Sequence, residues 1–536
     1  MFLYWERNTP DLLFLRQPIN GKVKDWTFRE AGIESRKIAS ALLSMNIPRK
    51  SHVAILSKNC AHWIMADVAI WMAGHVSVPL YPTLSASSIR QILEHSESKV
   101  LFVGKLDNFA EQESGIPPAM KCISFSMYGE KKGDQWDQLV SKHEPLGEIQ
   151  KREHDELATI KYTSGTTGNP KGVMITFGAF QNVVPEALEK YEATKRGRFF
   201  SYLPLSHIAE RMLVECGALY SGSEIHFSES LEKFPENLMN TQPTVFLAVP
   251  RIWAKFREKI EHKMPNLDRL LKIPVVSTIV KKAIRKKLGL SRAHLIISGA
   301  APISVDLLKW FKKLDILIQE VYGMTENLAY SHSNFKDAKF GSVGRAWHNI
   351  ETKFSEEGEL LVRHKGLMKG YYKEPELTAK VFTADGFLKT GDKGEVDKDG
   401  FFTITGRIKD QFKTDKAKFV DPAPIEMKLL ANPEIEQVCV VGMGIPQPIA
   451  LVVLSSMGKQ KDRKELEESL KRSIEEVNPL LESYERLKAA IVLQEDWTIE
   501  NGLMTPTLKV KRNEIEKIHL PKYPMWYERN EIVVWE

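Results

Sequence analysis

Tyr162-Thr163-Ser164-Gly165-Thr166-Thr167-Gly168-Asn169-Pro170-Lys171-Gly172 is the stretch that orders the rest of the chain. Between Thr163 and Gly168 it packs four hydroxyls and two glycines, and Lys171 follows. Leu157 to Tyr162 before it and Val173 to Thr176 after it have the composition of β-strands. Glycines at positions 165 and 168 allow backbone N–H groups to converge on one point, the nest geometry that holds anions. The hydroxyls add donors and Lys171 adds charge, so the stretch suits a polyphosphate. It is not a Walker A loop, since no Gly-Lys-Ser/Thr closes it and a strand, not a helix, follows.

Outward from this loop, 536 residues exceed one ordinary core and predict at least two domains. The hydrophobic (43%) and charged (27%) fractions are those of a globular protein. A net charge of +6 is too mild to call for nucleic acid, and no nucleic-acid partner is expected. Cys60, Cys122, Cys216 and Cys439 are too scattered for a zinc site or a disulfide framework, so a cytoplasmic setting is expected. The start Met1-Phe2-Leu3-Tyr4-Trp5-Glu6-Arg7 does not read as a signal peptide. The apolar stretch Trp63 to Tyr81 is broken by Asp67, Gly74, His75 and Pro79, which predicts a buried helix and strand, not a membrane span.

Helical spacing at Trp26–Asn46, Ala61–Ala73 and Ser87–His95 alternates with strand-like runs at Val53–Leu56, Ser77–Leu80 and Val100–Val103. This predicts an α/β layered domain with largely parallel strands. Gly115 to Gln150 reads as a surface connection. After the loop, the helical run Phe177–Lys190 and the strand Arg198–Leu203 open a second α/β series. Strands Leu295–Ser298 and Ile316–Tyr322 run into the turns Gly299-Ala300-Ala301-Pro302 and Gly323-Met324-Thr325-Glu326. Ligands of open α/β sheets collect beyond such carboxyl ends, so one shared cleft is expected. Short strands and glycine turns follow from Glu359. Gly406-Arg407-Ile408-Lys409-Asp410 reads as a linker, which divides the chain into 1–406 and a smaller α+β unit, 407–536.

Arg251 to Arg292 holds 13 Lys/Arg against 3 Asp/Glu, a local +10. With the apolar run Ile273–Val280, it is either a solvated helix face or a basic amphipathic patch for the anionic inner membrane surface.

Four motifs occur in order: YTSGTTGNPKG (162–172), YGMTE (322–326), TGD (390–392) and GRIKD (406–410). Together they resemble the adenylate-forming superfamily over essentially the full chain. Pro204-Leu205-Ser206-His207-Ile208-Ala209-Glu210-Arg211, the Phe412-Lys413 pair and Thr505 to Arg512 are similar to its long-chain fatty acyl-CoA synthetase branch, in compact bacterial form. The resemblance implies an α/β fold, a large N-terminal adenylate-forming domain of layered sheets and helices with a small mobile C-terminal domain. It implies that a medium- to long-chain fatty carboxylate attacks the α-phosphorus of Mg²⁺-ATP, after which the thiol of coenzyme A displaces AMP. A fatty acyl-AMP ligase serving a carrier protein is one alternative, and a nucleotide-binding partner protein without catalysis is another.

The resemblance assigns phosphate binding to Thr163, Ser164, Gly165, Thr166, Thr167, Gly168 and Lys171, with Thr166 also catalytic. Glu326 is implied as the Mg²⁺ carboxylate; Tyr322 against adenine, with Gly299, Ala300, Ala301, Gly323, Met324 and Thr325 shaping the nucleotide site. Asp392 would take the ribose hydroxyls, Arg407 ribose or phosphate, and His207 would stand beside the acyl carboxylate. Lys509 is implied as the adenylation lysine, although Lys511 lies two residues on and extended chain would point both to one face. Lys413 would belong to a second, thioester-forming face, reached by rotation about Lys409-Asp410. Two positions depart from the superfamily: Leu508 and Ala417 stand where relatives often carry glycine.

Overall fold

The computed structural model describes residues 1–164, 170–190, 192, 197–335, 338–505 and 508–536. Two large sheets dominate. The eight-stranded sheet has the order Gly370–Tyr371, Pro170–Thr176, Leu157–Ser164, Val76–Leu80, His52–Leu56, Val100–Val103, Lys121–Ser124, Asp134–Gln135. Its central strands are parallel, and Leu157–Ser164 pairs antiparallel with Pro170–Thr176 as the two arms beside the phosphate-loop stretch. The nine-stranded sheet contains Arg198–Ser201, Glu224–Phe227, Val245–Ala248, Leu295–Ser298 and Gln319–Tyr322, joined in parallel. Parallel strands place their carboxyl ends on one edge, which brings the 203–207, 249–251, 299–301 and 323–326 turns together.

Helix Ala61–Met72 is apolar on nearly every side and buried along almost its whole length, because it packs against strands of both large sheets. Helix Phe28–Ser44 beside it starts in a full capping box, in which Thr27 accepts from the Glu30 N–H and Glu30 accepts from the Thr27 N–H. An antiparallel four-stranded sheet (Glu351–Phe354, Glu359–Arg363, Leu388–Val396, Phe402–Arg407) leads to the small C-terminal domain. That domain is built on the sheet Ile435–Val441, Ile449–Leu454, Ala490–Val492, Val533–Trp535. The α/β fold with a large and a small domain is as expected. No helix of the described residues is long and apolar enough to cross a membrane.

The segment expected as a surface connection differs. Lys121–Ser124 extends the eight-stranded sheet in parallel beside Val100–Val103, and helix Trp136–Lys142 sinks Trp136 completely into the core. Its indole N–H donates to Glu34 Oε2 at 2.9 Å. Here four-residue and seven-residue elements, each holding one or two apolar anchors, are too short to display a period.

Candidate active site

The carboxyl-end turns, the four-stranded sheet and the small domain enclose one cavity of about 2740 Å³. Of the residues singled out from sequence, Thr163, Lys171, His207, Gly299, Ala300, Ala301, Tyr322, Gly323, Met324, Thr325, Glu326, Asp392, Arg407 and Lys509 all line it. Gly165, Thr166, Thr167 and Gly168 lie outside the described residues, as does the side chain of Ser164. Lys413 is exposed on the pair Phe412–Lys413/Phe419–Val420, with Nζ 5.7 Å from the Phe419 ring, and is not among the cavity-lining residues.

Asp392 is the hub of the nucleotide end. Its Oδ2 accepts from the Tyr322 hydroxyl at 2.6 Å and its Oδ1 from Arg407 Nε at 2.9 Å. Each carboxylate oxygen retains a further lone pair, so a vicinal diol can still be accepted. Burial, then the adjoining carboxylate, pushes the Tyr322 phenol up; Asp392 raises the Arg407 guanidinium. Gly323 follows Tyr322 because a Cβ there would lie 2.4 Å from the Ala329 carbonyl carbon.

Glu326 is the middle residue of the short 3₁₀ turn Thr325–Asn327 after that glycine. Tyr371, which sequence reasoning did not single out, donates its hydroxyl to Glu326 Oε1 at 2.9 Å. Among the described residues Oε2 has no hydrogen-bond partner. A carboxylate with one oxygen unpartnered among the described residues, on the wall of the cavity, fits Mg²⁺, which takes one or two protein carboxylates and fills its remaining positions with phosphate oxygens and water. Lys171 Nζ lies 5.8 Å from the Tyr371 ring on the same side.

His207 sits where the cleft turns apolar. Its Nδ1 accepts the Ala209 N–H at 3.2 Å, which leaves the neutral ring's proton on Nε2. Burial lowers its pKa well below the ordinary histidine value, and the charges of Lys161 and Lys509 lower it further. The preceding turn is pinned by Asn59, whose Nδ2 donates to the Leu203 carbonyl (2.6 Å) and whose Oδ1 accepts from the Leu205 N–H (2.9 Å). Beyond His207 the walls are Val184, Ala187, Leu188, Ile208, Met212 and Leu213. The last two belong to a π-helical turn, Arg211–Cys216, a distortion frequent at functional sites.

Lys509 comes from the small domain and directly precedes Val510, which bridges to Met504. Thr505 N–H donates to the Lys509 carbonyl at 2.8 Å, and the Lys509 N–H to Thr505 Oγ1 at 3.0 Å. Leu508 holds φ +61°, the left-handed conformation that glycine favours, so the turn geometry is kept without the glycine. Ala417 does the same at +59°. Burial lowers the Lys509 ammonium to about 8, with Arg407 lowering it further and Asp392 and Glu326 acting in the opposite direction. Among the described residues its Nζ has neither hydrogen bond nor ion pair. Lys511 also lines the cavity and is the N-cap residue of the next helix, Arg512–His519.

Asp392 and Glu326 of the large domain and Lys509 of the small one thus line a single cavity. The chain belongs to the AMP-binding enzyme family: that family matches residues 2–372, and its C-terminal domain family matches 409–529. It is 29% identical to the long-chain-fatty-acid–CoA ligase FadD15 of Mycobacterium tuberculosis, over 95% of this chain and 93% of that one. It is also 29% identical to long-chain-fatty-acid–CoA ligase 5 of Rattus norvegicus, over 96% of this chain and 85% of that one. Among solved structures, the adenylation domain of a carboxylate reductase from Mycobacterium chelonae superposes with a TM-score of 0.81 at 22% identity, covering 98% and 90%. The o-succinylbenzoate CoA synthetase of Bacillus subtilis, bound to its acyl-adenylate, gives 0.76 at 23%, covering 96% and 97%. These likenesses share the fold.

Proposed function

We propose that this protein is an ATP-dependent fatty acid–CoA ligase working through an acyl-adenylate. The carrying observation is one cavity that joins Asp392, Glu326 and Lys509, unpaired among the described residues, to an apolar extension beyond His207. In the first step a carboxylate oxygen attacks the α-phosphorus, the bond to the β-phosphate bridging oxygen breaks, and pyrophosphate leaves. Negative charge converges on that phosphorus, so cationic donors aimed at it supply the acceleration. Lys509 stands for the α-phosphate, Thr163 and Lys171 for the departing pyrophosphate, and Asp392 with Arg407 for the ribose. His207 Nε2–H would hold the acyl carboxylate oxygen. Glu326, oriented by Tyr371, would hold Mg²⁺, which supplies charge neutralisation on the phosphates when bound.

In the second step the thiol sulfur attacks the acyl carbonyl, the carbonyl–phosphate bond breaks, AMP leaves, and the thiol proton is lost. Lys509 faces the cavity while Lys413 of the same domain does not, which supports a boundary near 406/407 and rotation about Lys409-Asp410 between the steps. Free coenzyme A is the proposed acceptor. Helix Pro274–Lys287, with Val275 and Ile279 exposed beside Lys281, Lys282, Arg285, Lys286 and Lys287, would meet an anionic membrane from the side; salt-insensitive failure to co-sediment with anionic vesicles contradicts that contact.

The reading is tested by incubating the protein with Mg²⁺-ATP and a series of fatty acids, adding either coenzyme A or a phosphopantetheinylated carrier protein. AMP and acyl-CoA are expected with coenzyme A. ADP, no nucleotide turnover with any acid, or turnover with the carrier alone would overturn it.

A further inference from the structure

Arg251 lies in the large domain, at the second position of helix Pro250–Lys263. Its guanidinium reaches across to the small domain twice. Nη2 forms an ion pair with Glu436, on strand Ile435–Val441, and Nη1 contacts the Met504 sulfur at 3.7 Å. Both charged side chains are largely covered, 29% and 20% exposed. Met504 is buried, receives Gln437 Nε2 at 2.9 Å, and bridges to Val510, the residue after Lys509. Its neighbour Leu503 accepts from the Lys511 N–H at 2.8 Å, a second tie beside that bridge. All of these residues except Leu503 border the cavity that holds Glu326 and Asp392. The large domain therefore grips the Met504–Val510 bridge beside which the lysine stands.

We infer that Arg251, paired with Glu436 and seated on Met504, is a positioning residue for adenylation: it docks the Lys509 segment onto the large domain and is released before thioester formation. This rests on the role proposed for Lys509. A half-buried ion pair made across a moving interface contributes only while the interface is closed, so its loss acts on one half-reaction and spares the other. Arg251 itself does not touch the reacting atoms. It acts through the population of molecules whose lysine is in place, so the expected effect is on the rate of acyl-AMP formation and not on the fit of coenzyme A.

The test measures two half-reactions of the full chain separately: pyrophosphate release from Mg²⁺-ATP and fatty acid without coenzyme A, and acyl-CoA formation from supplied acyl-AMP. Arg251→Ala and Glu436→Gln should each slow the first about 10-fold and leave the second within 2-fold. The reversed pair, Arg251→Glu with Glu436→Arg, should recover at least half of the lost adenylation rate. Equal loss in both half-reactions, no loss in either, or no recovery in the reversed pair would overturn the docking role. Lys509→Ala is run alongside. If it leaves adenylation intact, the reading of Lys509 fails whatever the Arg251 variants do; if it abolishes adenylation while Arg251→Ala does nothing, only the docking inference fails.

Discussion

Two clusters of charge stand in the large domain and its approach, and they differ in what surrounds them. In the core, Arg211 is completely buried between the rings of Trp63 and Trp71. It pairs with Asp67 and Glu215 and donates to Thr159 Oγ1 at 2.8 Å. Burial, and after it the neighbouring Asp67 carboxylate, push the Glu215 carboxyl well above the usual range. In the cleft, Arg407 and Asp392 also pair, but Lys509 makes no ion pair among the described residues, although the charges of Asp392 and Glu326 both act on it. The first cluster sets its charges against one another inside the core, with Asp67 Oδ1, Arg211 Nε and both Glu215 carboxyl oxygens making no hydrogen bond among the described residues. In the second, the lysine without an ion pair among the described residues stands where a phosphate would bring negative charge, and that opening separates a site from a structural ion pair.

The contrast breaks most sharply at Arg211. Arg211→Ala should lower unfolding stability by about 3–5 kcal/mol, the cost of leaving buried carboxyls without their cation, read as a fall in denaturation midpoint. No change in the midpoint would mean that the buried carboxyls do not depend on Arg211. Asp392→Asn should instead leave the midpoint nearly unchanged and raise KM for ATP roughly 10- to 100-fold, the worth of about 1.5–3 kcal/mol for hydrogen bonds to a charged group. A large loss of stability there would erase the distinction between the clusters.

Smaller effects sharpen it. Because burial holds the Lys509 ammonium at about 8, and the cation is the form that meets phosphate, kcat/KM for adenylation should be full below that pH and fall as pH rises through it. Lys509→Arg should move this descending limb upward out of the measurable range, whatever it does to the absolute rate. At the small end, Ala417 is exposed at φ +59°, so Ala417→Gly should stabilise the small domain by no more than about 1 kcal/mol, relief of left-handed strain set against added freedom of the unfolded chain.

Much of the fold could be read from residues because its long elements carry strong periods: Ala61–Met72, the strands around it and the hairpin arms all follow from composition. The 121–142 region could not, since its anchors Ile123 and Trp136 sit in elements shorter than a period needs. At the site, motifs marked Asp392, Glu326 and Lys509 because their chemistry demands fixed residue types. Tyr371, Arg251 and Glu436 left no mark: a tyrosine that orients a carboxylate and an ion pair 185 positions apart in the chain are defined only by contact. Lys161 is a further case, a completely buried lysine one residue before the loop stretch, with the Tyr81 hydroxyl at 3.3 Å as its one hydrogen-bond partner among the described residues.

The central claim is that Lys509 serves the attacked phosphate and nothing in the second step. Measuring both half-reactions of Lys509→Ala tests it most directly. Pyrophosphate release from ATP and fatty acid should fall about 10²- to 10³-fold, as for removal of one preorganised donor to developing charge, while acyl-CoA formation from supplied acyl-AMP stays within a few-fold of the parent. Equal losses in the two half-reactions, or an undiminished first one, would contradict the account.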